Sequence, residues 1–208
     1  LAIPRYRMKP AGEAVDAGQE TADEGRVPPS ARRATFWLMA LSFSASGLVS
    51  WGLPLHVIGL MQNAGLSNAT AVAIATLSGP ATLVARAIDA VAGHRLPVER
   101  VALGGLALGP LSCLLMALAP GAAPVAVAFI LLFNAAMGVI AVARATLPLA
   151  LFGRHGFGSM LGRLAVPQNL TFAAAPLLFA LMIERIGPSG TLYISAMIQF
   201  AARLAMVA

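Results

Sequence analysis

The side chains that could do chemistry in this sequence are polar residues isolated within long apolar runs. Ser46 and Ser50 are four residues apart, and Asn134 and Gln168 each stand near the middle of an uncharged run. Hydroxyl and amide groups in such surroundings either bond to their own helix or face a polar cavity. His56 adds a group that can titrate near neutral pH or bind an anion. We take these five residues as candidates for contact with a small-molecule ligand.

A second set of candidates consists of charged residues near the ends of the apolar runs. Arg86 and Asp89 are three residues apart, a spacing that allows an ion pair on one face of a helix. Arg95 lies in a basic turn, and Arg144 and Arg163 flank a short glycine-rich loop. Such arginines either anchor helix ends, or bond to carbonyls and carboxylates in one conformation and release them in another. We therefore treat all five as candidates for a conformational gate.

The composition identifies the elements that must position these residues. Of the 208 residues, 59% are hydrophobic and only 11% are charged. A soluble domain has about a quarter charged residues, so this chain has too little polar surface to be one. The runs are apolar on every face instead of alternating, which favours membrane helices over barrel strands. The sequence therefore predicts an all-α polytopic membrane protein with the lipid bilayer as its first partner.

Six apolar runs follow a polar amino-terminal segment. About 20 apolar residues span the hydrocarbon core as a helix, and each run is about that long or longer. We place the runs at about 35–61, 69–91, 99–119, 124–149, 158–184 and 189–208. They form a predicted transmembrane bundle over residues 34–208. Residues 1–33 mix charges with proline, glycine and alanine, which predicts a flexible segment in water.

The distribution of arginines predicts the orientation of the bundle. The turns at 94–100 and 150–157 carry arginines, whereas those at 62–68 and 119–123 carry no charge. Positive residues favour the cytoplasmic side, so the alternation indicates six crossings that start in the cytoplasm. The net charge of +6 is then a topology signal, and we exclude nucleic acid as a partner. We expect a multi-pass protein of the inner membrane with a cytoplasmic amino-terminal segment.

The sequence shows no sign of a metal or a cofactor. Cys113 is the single cysteine, so no internal disulfide is available, and no metal-ligand spacing surrounds it. We therefore predict neither a cofactor nor a metal site. The chain opens with Leu1 and without the apolar segment of a signal peptide, which we interpret as a fragment of a longer chain.

Three stretches rich in glycine and arginine stand at the ends of the apolar runs. They are Gly79-Pro80 followed by Arg86, Asp89, Gly93 and Arg95; the segment from Arg144 to Gly153; and Phe157-Gly158 followed by Gly162-Arg163. The first resembles a second copy of the signature loop of the major facilitator superfamily, although Asp89 is followed by alanine. The others resemble the end of that family's tenth helix and the start of its eleventh. The whole chain thus resembles the carboxyl-terminal half of a bacterial secondary transporter of this family.

The resemblance implies a fold and a function. It implies six transmembrane helices forming one half of the transporter, with a missing amino-terminal six-helix half as the partner. The two halves would move a small-molecule substrate by alternating access around a central cavity. It favours Ser46, Ser50, Asn134 and Gln168 over Gln199 as residues of the substrate path. The prediction is therefore a transporter and not an enzyme.

Two alternatives stay open. The chain could be a stand-alone six-helix protein that dimerises. It could also be an intramembrane serine protease, because Ser44-Ala-Ser46-Gly47 is similar to the serine motif of rhomboid proteases. His56 lies ten residues after Ser46, about 15 Å along a helix, which is too far for a serine–histidine hydrogen bond.

Overall fold

The computed structural model describes residues 25–92, 97–154 and 156–207, and the described residues contain helices and short turns but no β-strand. The predicted all-α class is confirmed. The helices are α1 Arg32–Asn63, α2 Asn68–Ala75, α3 Ser78–Ala92, α4 Val98–Leu118, α5 Ala123–Phe152 and α6 Phe157–Val207. Residues 1–24 of the segment predicted to be flexible lie outside the described residues.

Five stretches of the described chain are helical, long and apolar enough to cross a membrane. They are α1, α2 and α3 taken together as Asn68–Val91, α4, α5 and α6. The membrane class predicted from composition therefore agrees with the structure at this level. The sequence analysis expected six crossing helices, and the difference lies in α6, whose 51 residues cover the last two predicted runs.

A break inside α6 divides it into two parts. Gly187 has φ 76° and ψ 171°, which is not a helical conformation, and Pro188 follows it. Positive φ costs little for glycine, which lacks a Cβ. A straight helix of this length would measure about 76 Å, more than twice the hydrocarbon core of about 30 Å. The non-helical backbone at Gly187 allows the chain to change direction between the two parts of α6.

Contacts on the two sides of Gly187 show that the chain reverses direction there. Before the break, α6 runs alongside α1 in the same sense, with Phe172 against Gly47 and Phe179 against Gly52. After the break it returns, because Leu192 lies near the carboxyl end of α1 and Met206 near its amino end. Helix α1 is therefore packed against both parts of α6, which is the most extensive packing in the bundle.

The turns collect at two ends of the bundle. We call one the basic end; it contains residues 25–33, 97–100, 152–154 and 156–163. There Arg26 Nη1 pairs with Glu99 Oε1 at 2.8 Å, and the Val27 N–H donates to the Leu151 carbonyl at 3.0 Å. Residues 25–31 are thus held against α4 and α5.

The opposite end contains residues 62–68, 119–122 and 187–189. Asn63, Pro120 and Ser189 border one small cavity of about 300 Å³. Gly121 has φ 88° and lies against the Ala64 carbonyl, where a side chain would not fit. The sequence thus brings the arginine-rich turns together at one end, away from the uncharged turns at 62–68 and 119–122.

Candidate functional site

Arg144 is the one arginine that the described structure places inside the bundle. It lies eight residues before the end of α5, about 12 Å along the helix. The Cα–Cβ bonds of a helix tilt toward its amino end, so this side chain points away from the nearest helix end. The arginine therefore reaches from near the end of its apolar run into the bundle.

Two aromatic rings and one carbonyl hold the Arg144 guanidinium. Its carbon lies 5.9 Å from the ring centroid of Phe43 on α1 and 5.1 Å from that of Phe172 on α6. Its Nη2 donates to the Phe43 carbonyl at 3.3 Å. Trp51 stacks on the Phe172 ring, with centroids 5.4 Å apart and planes at 26°. We call Phe43, Trp51, Arg144 and Phe172 the Arg144 site.

The positive charge of Arg144 has no partner of opposite sign within the described residues. No described carboxylate lies within 4 Å of its nitrogens, and its Nε is buried without a hydrogen bond. Each cation–π contact contributes about 0.5–2 kcal/mol. Two such contacts together offset about 1–4 kcal/mol, against a cost of about 2.5–3.5 kcal/mol or more for a charged side chain at membrane depth, but they supply no negative charge. The site therefore has unused capacity to bind a negative group.

Serines on α1 flank Phe43 in sequence. The hydroxyl oxygens of Ser42, Ser44 and Ser46 are buried and have no hydrogen-bond partner among the described residues. Most buried polar atoms have a partner, and each exception calls for an explanation. Ser46, which we predicted to line the substrate path, lies within one helical turn of Phe43, and its hydroxyl makes no hydrogen bond to any described residue. Ser50, also predicted, is buried on the same helix.

The structure gives Asn134 a different surrounding. Its Nδ2 donates to the Ile130 carbonyl of its own helix at 2.9 Å. Its Oδ1 accepts from Thr82 Oγ1 of α3 at 3.3 Å. This amide therefore joins α3 to α5, and it makes no polar contact with the Arg144 site.

His56 lies at the packing between α1 and α6, and Gln168 lies on α6. The Nε2 atom of half-buried His56 is 3.3 Å from the Pro176 carbonyl oxygen, and its N–H donates there in the Nε2-protonated tautomer. Gln168 is half-buried and makes no hydrogen bond to any described residue. The histidine thus has a backbone partner, while the amide has donors and an acceptor still available.

The remaining charged candidates lie away from the Arg144 site. Arg86 is exposed, Asp89 is half-buried, and the two form no ion pair within 4 Å. The i+3 spacing therefore does not produce the expected pair. Arg163 is exposed and lines a groove of about 800 Å³ at the basic end, together with Arg32 and Arg33. Arg95 lies outside the described residues.

Sequence reasoning missed the aromatic part of the site. Phe43, Trp51 and Phe172 are three members of apolar runs, and nothing in their types marks them as partners of an arginine. Two local signals existed. Gly47 lies one turn after Phe43, and its missing side chain makes room for the Phe172 ring. Pro176 lies four residues after Phe172 and cannot bond to its carbonyl, because proline has no N–H.

Comparisons with known proteins add no assignment. No model of a known protein family matches the chain, and no curated protein matches its sequence. Among the described residues, no group of three His, Cys, Asp or Glu side chains lies together in a way that could hold a metal ion. The functional interpretation therefore depends on the Arg144 site and on the arrangement of the helices.

Proposed function

We propose that this chain is one six-helix half of a secondary transporter of the major facilitator superfamily, which moves a small solute across the inner membrane by alternating access. One observation carries the proposal: Arg144 lies within an apolar membrane helix, faces the bundle interior and has no described counter-charge. Ionisable residues within membrane helices are rare and mark pathways for substrates and ions.

The path of the chain supports six crossings. Helix α6 reverses at Gly187, and its second part reaches the basic end, where Ala205 and Met206 border a cavity with Glu99 and Thr35. The arginines of residues 26–33, 97–100 and 152–163 lie together at that end. A cytoplasmic basic end agrees with the positive-inside rule. In this proposal, the two parts of α6 on either side of Gly187 are the fifth and sixth crossings.

An exposed amide on α6 supports a missing partner. Asn169 is exposed and lies 12 residues into the helix, about 18 Å from its start. An amide at this depth makes its hydrogen bonds with protein or with water in a cavity, and not with lipid. We propose that the face bearing Asn169 meets the amino-terminal half and the central cavity. A second copy of the chain is the alternative cover for the same face.

The protease alternative receives no support from the described geometry. The predicted serine motif lies on α1, and Ser46 Oγ has no hydrogen-bond partner. His56 contacts the Pro176 carbonyl instead of a serine hydroxyl. We therefore keep the transporter as the proposed function.

Cysteine labelling tests the crossings. In a Cys113→Ser background, single cysteines replace Asn63, Ala122 and Ser189 at one end and Arg154 at the other. We expect an impermeant maleimide added to intact cells to label the first three only. Labelling of position 189 from the same side as position 154 would contradict six crossings.

A second labelling pair tests the cavity. Asn169→Cys should react with a water-soluble maleimide in the full gene product in membranes, whereas Leu83→Cys, exposed on α3 and facing lipid in this proposal, should not. Equal protection of both positions would argue against a water-filled path beside α6. Labelling of position 169 that depends on the presence of an amino-terminal half would separate the two-half protein from a homodimer.

A further inference from the structure

We propose that the Arg144 site binds the carboxylate of a small amphipathic monoanion, and that this anion is the substrate class of the protein. The inference rests on the proposed transport function for the word substrate, but the binding site itself is argued from contacts. Three features of the described site carry it: the Nε–H of Arg144 that has no partner, the single positive charge and the aromatic surface beside it.

The guanidinium keeps one N–H that no described residue accepts. Phe43 and Phe172 lie 5.9 and 5.1 Å from its carbon, and the Nη2–H bond to the Phe43 carbonyl is long at 3.3 Å. The Nε–H has no partner. A carboxylate accepts two parallel N–H bonds in the plane of a guanidinium, at its edge. The site therefore has an unpartnered donor and a weakly held one on a charged group that a carboxylate recognises.

The charge balance selects a monoanion. Arg144 supplies one positive charge, and no described acidic side chain lies within ion-pair distance. In a low-dielectric surrounding, a bound monoanion cancels that charge, whereas a neutral solute leaves it uncompensated. A dianion would bring a second negative charge that no described residue of the site matches. Ser46, three residues after Phe43 on α1, also has a buried hydroxyl without a partner among the described residues.

The aromatic surface selects the rest of the ligand. Phe172 is half-buried, and Trp51, which stacks on it, is 55% exposed. The two rings thus form a continuous platform from the guanidinium to the surface of the chain. Planar apolar groups stack on such rings in offset geometry. A carboxylate attached to an aromatic or apolar body fits this combination, and benzoate is the simplest probe.

Another carboxylate could come from an acidic side chain of the amino-terminal half. That arrangement would make Arg144 part of an ion pair between the halves, and the aromatic platform would then have no ligand to bind. The exposed, stacked Trp51 favours the small-molecule interpretation. The experiment distinguishes the two.

The test compares benzoate with benzamide, which has the same ring and nearly the same size but no charge. Radiolabelled benzoate binding is measured by scintillation proximity on the full gene product in lipid nanodiscs at pH 7, with unlabelled benzamide as competitor. We expect benzoate to bind and benzamide not to compete. Arg144→Gln should weaken benzoate binding at least about 30-fold, and Arg144→Lys at least about tenfold, because lysine lacks the planar fork. Arg154→Gln removes an exposed arginine of the basic end and should leave binding unchanged.

The outcomes separate this inference from the proposed function. Unchanged benzoate binding in Arg144→Gln, with normal folding by size exclusion, would overturn the inference. So would the absence of benzoate binding in a wild-type protein whose transport activity depends on Arg144, since the arginine would then pair with a protein carboxylate. Benzoate binding that requires Arg144, without any uptake into proteoliposomes, would uphold the site and contradict the transporter.

Discussion

The ring of Phe172 contacts both the guanidinium of Arg144, 5.1 Å away, and the indole of Trp51, 5.4 Å away. It also occupies the space beside Gly47, where a side chain on α1 would overlap it. One aromatic ring of α6 therefore contacts both α1 and α5. Because α6 carries prolines at 167 and 176, this ring belongs to a helix that can bend on either side of it. A change in the bend of α6 would therefore move the Phe172 ring relative to the Arg144 guanidinium.

Replacing Phe172 with leucine should weaken ligand binding more than it weakens the fold. The change removes the cation–π contact and the stacking with Trp51, each worth about 0.5–1.5 kcal/mol. We expect the dissociation constant for benzoate to rise about three- to tenfold in a scintillation proximity assay.

Phe179→Leu is the matched control for that variant. Phe179 is fully buried against Gly52 on the same pair of helices but lies outside the Arg144 site. The Phe179→Leu variant should lower the free energy of unfolding by about 1 kcal/mol and leave the affinity for benzoate unchanged. A larger loss of affinity in Phe179→Leu than in Phe172→Leu would show that general packing, and not the ring at the arginine, controls binding.

Alanine at Gly47 should displace the Phe172 ring and disturb the arginine. A Cβ there would overlap the ring, and overpacking of this kind costs about 1–3 kcal/mol. Gly52→Ala makes the same kind of clash with Phe179 and should cost a similar amount. Thermal unfolding should therefore show two comparable losses, while benzoate affinity falls in Gly47→Ala alone. Equal affinities in the two variants would argue that the position of the Phe172 ring does not matter to the site.

Apolar length and composition were sufficient to predict the helical class and the presence of helices long and apolar enough to cross a membrane. The division between α2 and α3 was not predicted, although its cause is local. Pro80 has no N–H, so the Thr76 carbonyl loses its bond four residues on, and α2 ends at Ala75. The sequence contained Gly79-Pro80, but the apolar run across it was interpreted as one continuous helix.

The Arg144 site could not be predicted, because its members are distant in sequence. Phe43 is 101 positions from Arg144, and residue counting gives the depth of a Cα but not the direction of a side chain. The same limit applies to Asn134, whose partner Thr82 is 52 positions away. Both contacts depend on which helices pack side by side. The apolar pattern of a sequence is compatible with many such arrangements.

Close packing of α4 against the second part of α6 should depend on Gly109. Gln199 is only 2% exposed, its Nε2 donates to Cys113 Sγ at 3.5 Å, and a Cβ at Gly109 would overlap its amide. Gly109→Ala should destabilise the protein by about 1–3 kcal/mol. Gly104→Ala is the control, because no atom lies within 4 Å of that position and alanine favours a helix by about 0.5–1 kcal/mol.

A double variant tests whether the clash at Gly109 is with Gln199. Gly109→Ala with Gln199→Ala should be more stable than the sum of the two single effects, by a coupling of about 0.5–3 kcal/mol. Strict additivity in thermal unfolding would mean that the glycine contacts something other than the amide.

Lysine substitutions should separate Arg144 from Arg86, which the sequence placed in the same class. Arg86 is exposed and makes no hydrogen bond or ion pair with any described residue. An anchor needs only charge, so Arg86→Lys should retain uptake by the full gene product. Arg144 lies between two rings and bonds to a carbonyl, which a compact ammonium cannot reproduce. We expect Arg144→Lys to lower the uptake rate at least about tenfold, with surface expression measured alongside and unchanged. Lost uptake in Arg86→Lys would assign that arginine a role its exposed position does not indicate, and normal uptake in Arg144→Lys would reduce the buried arginine to an anchor.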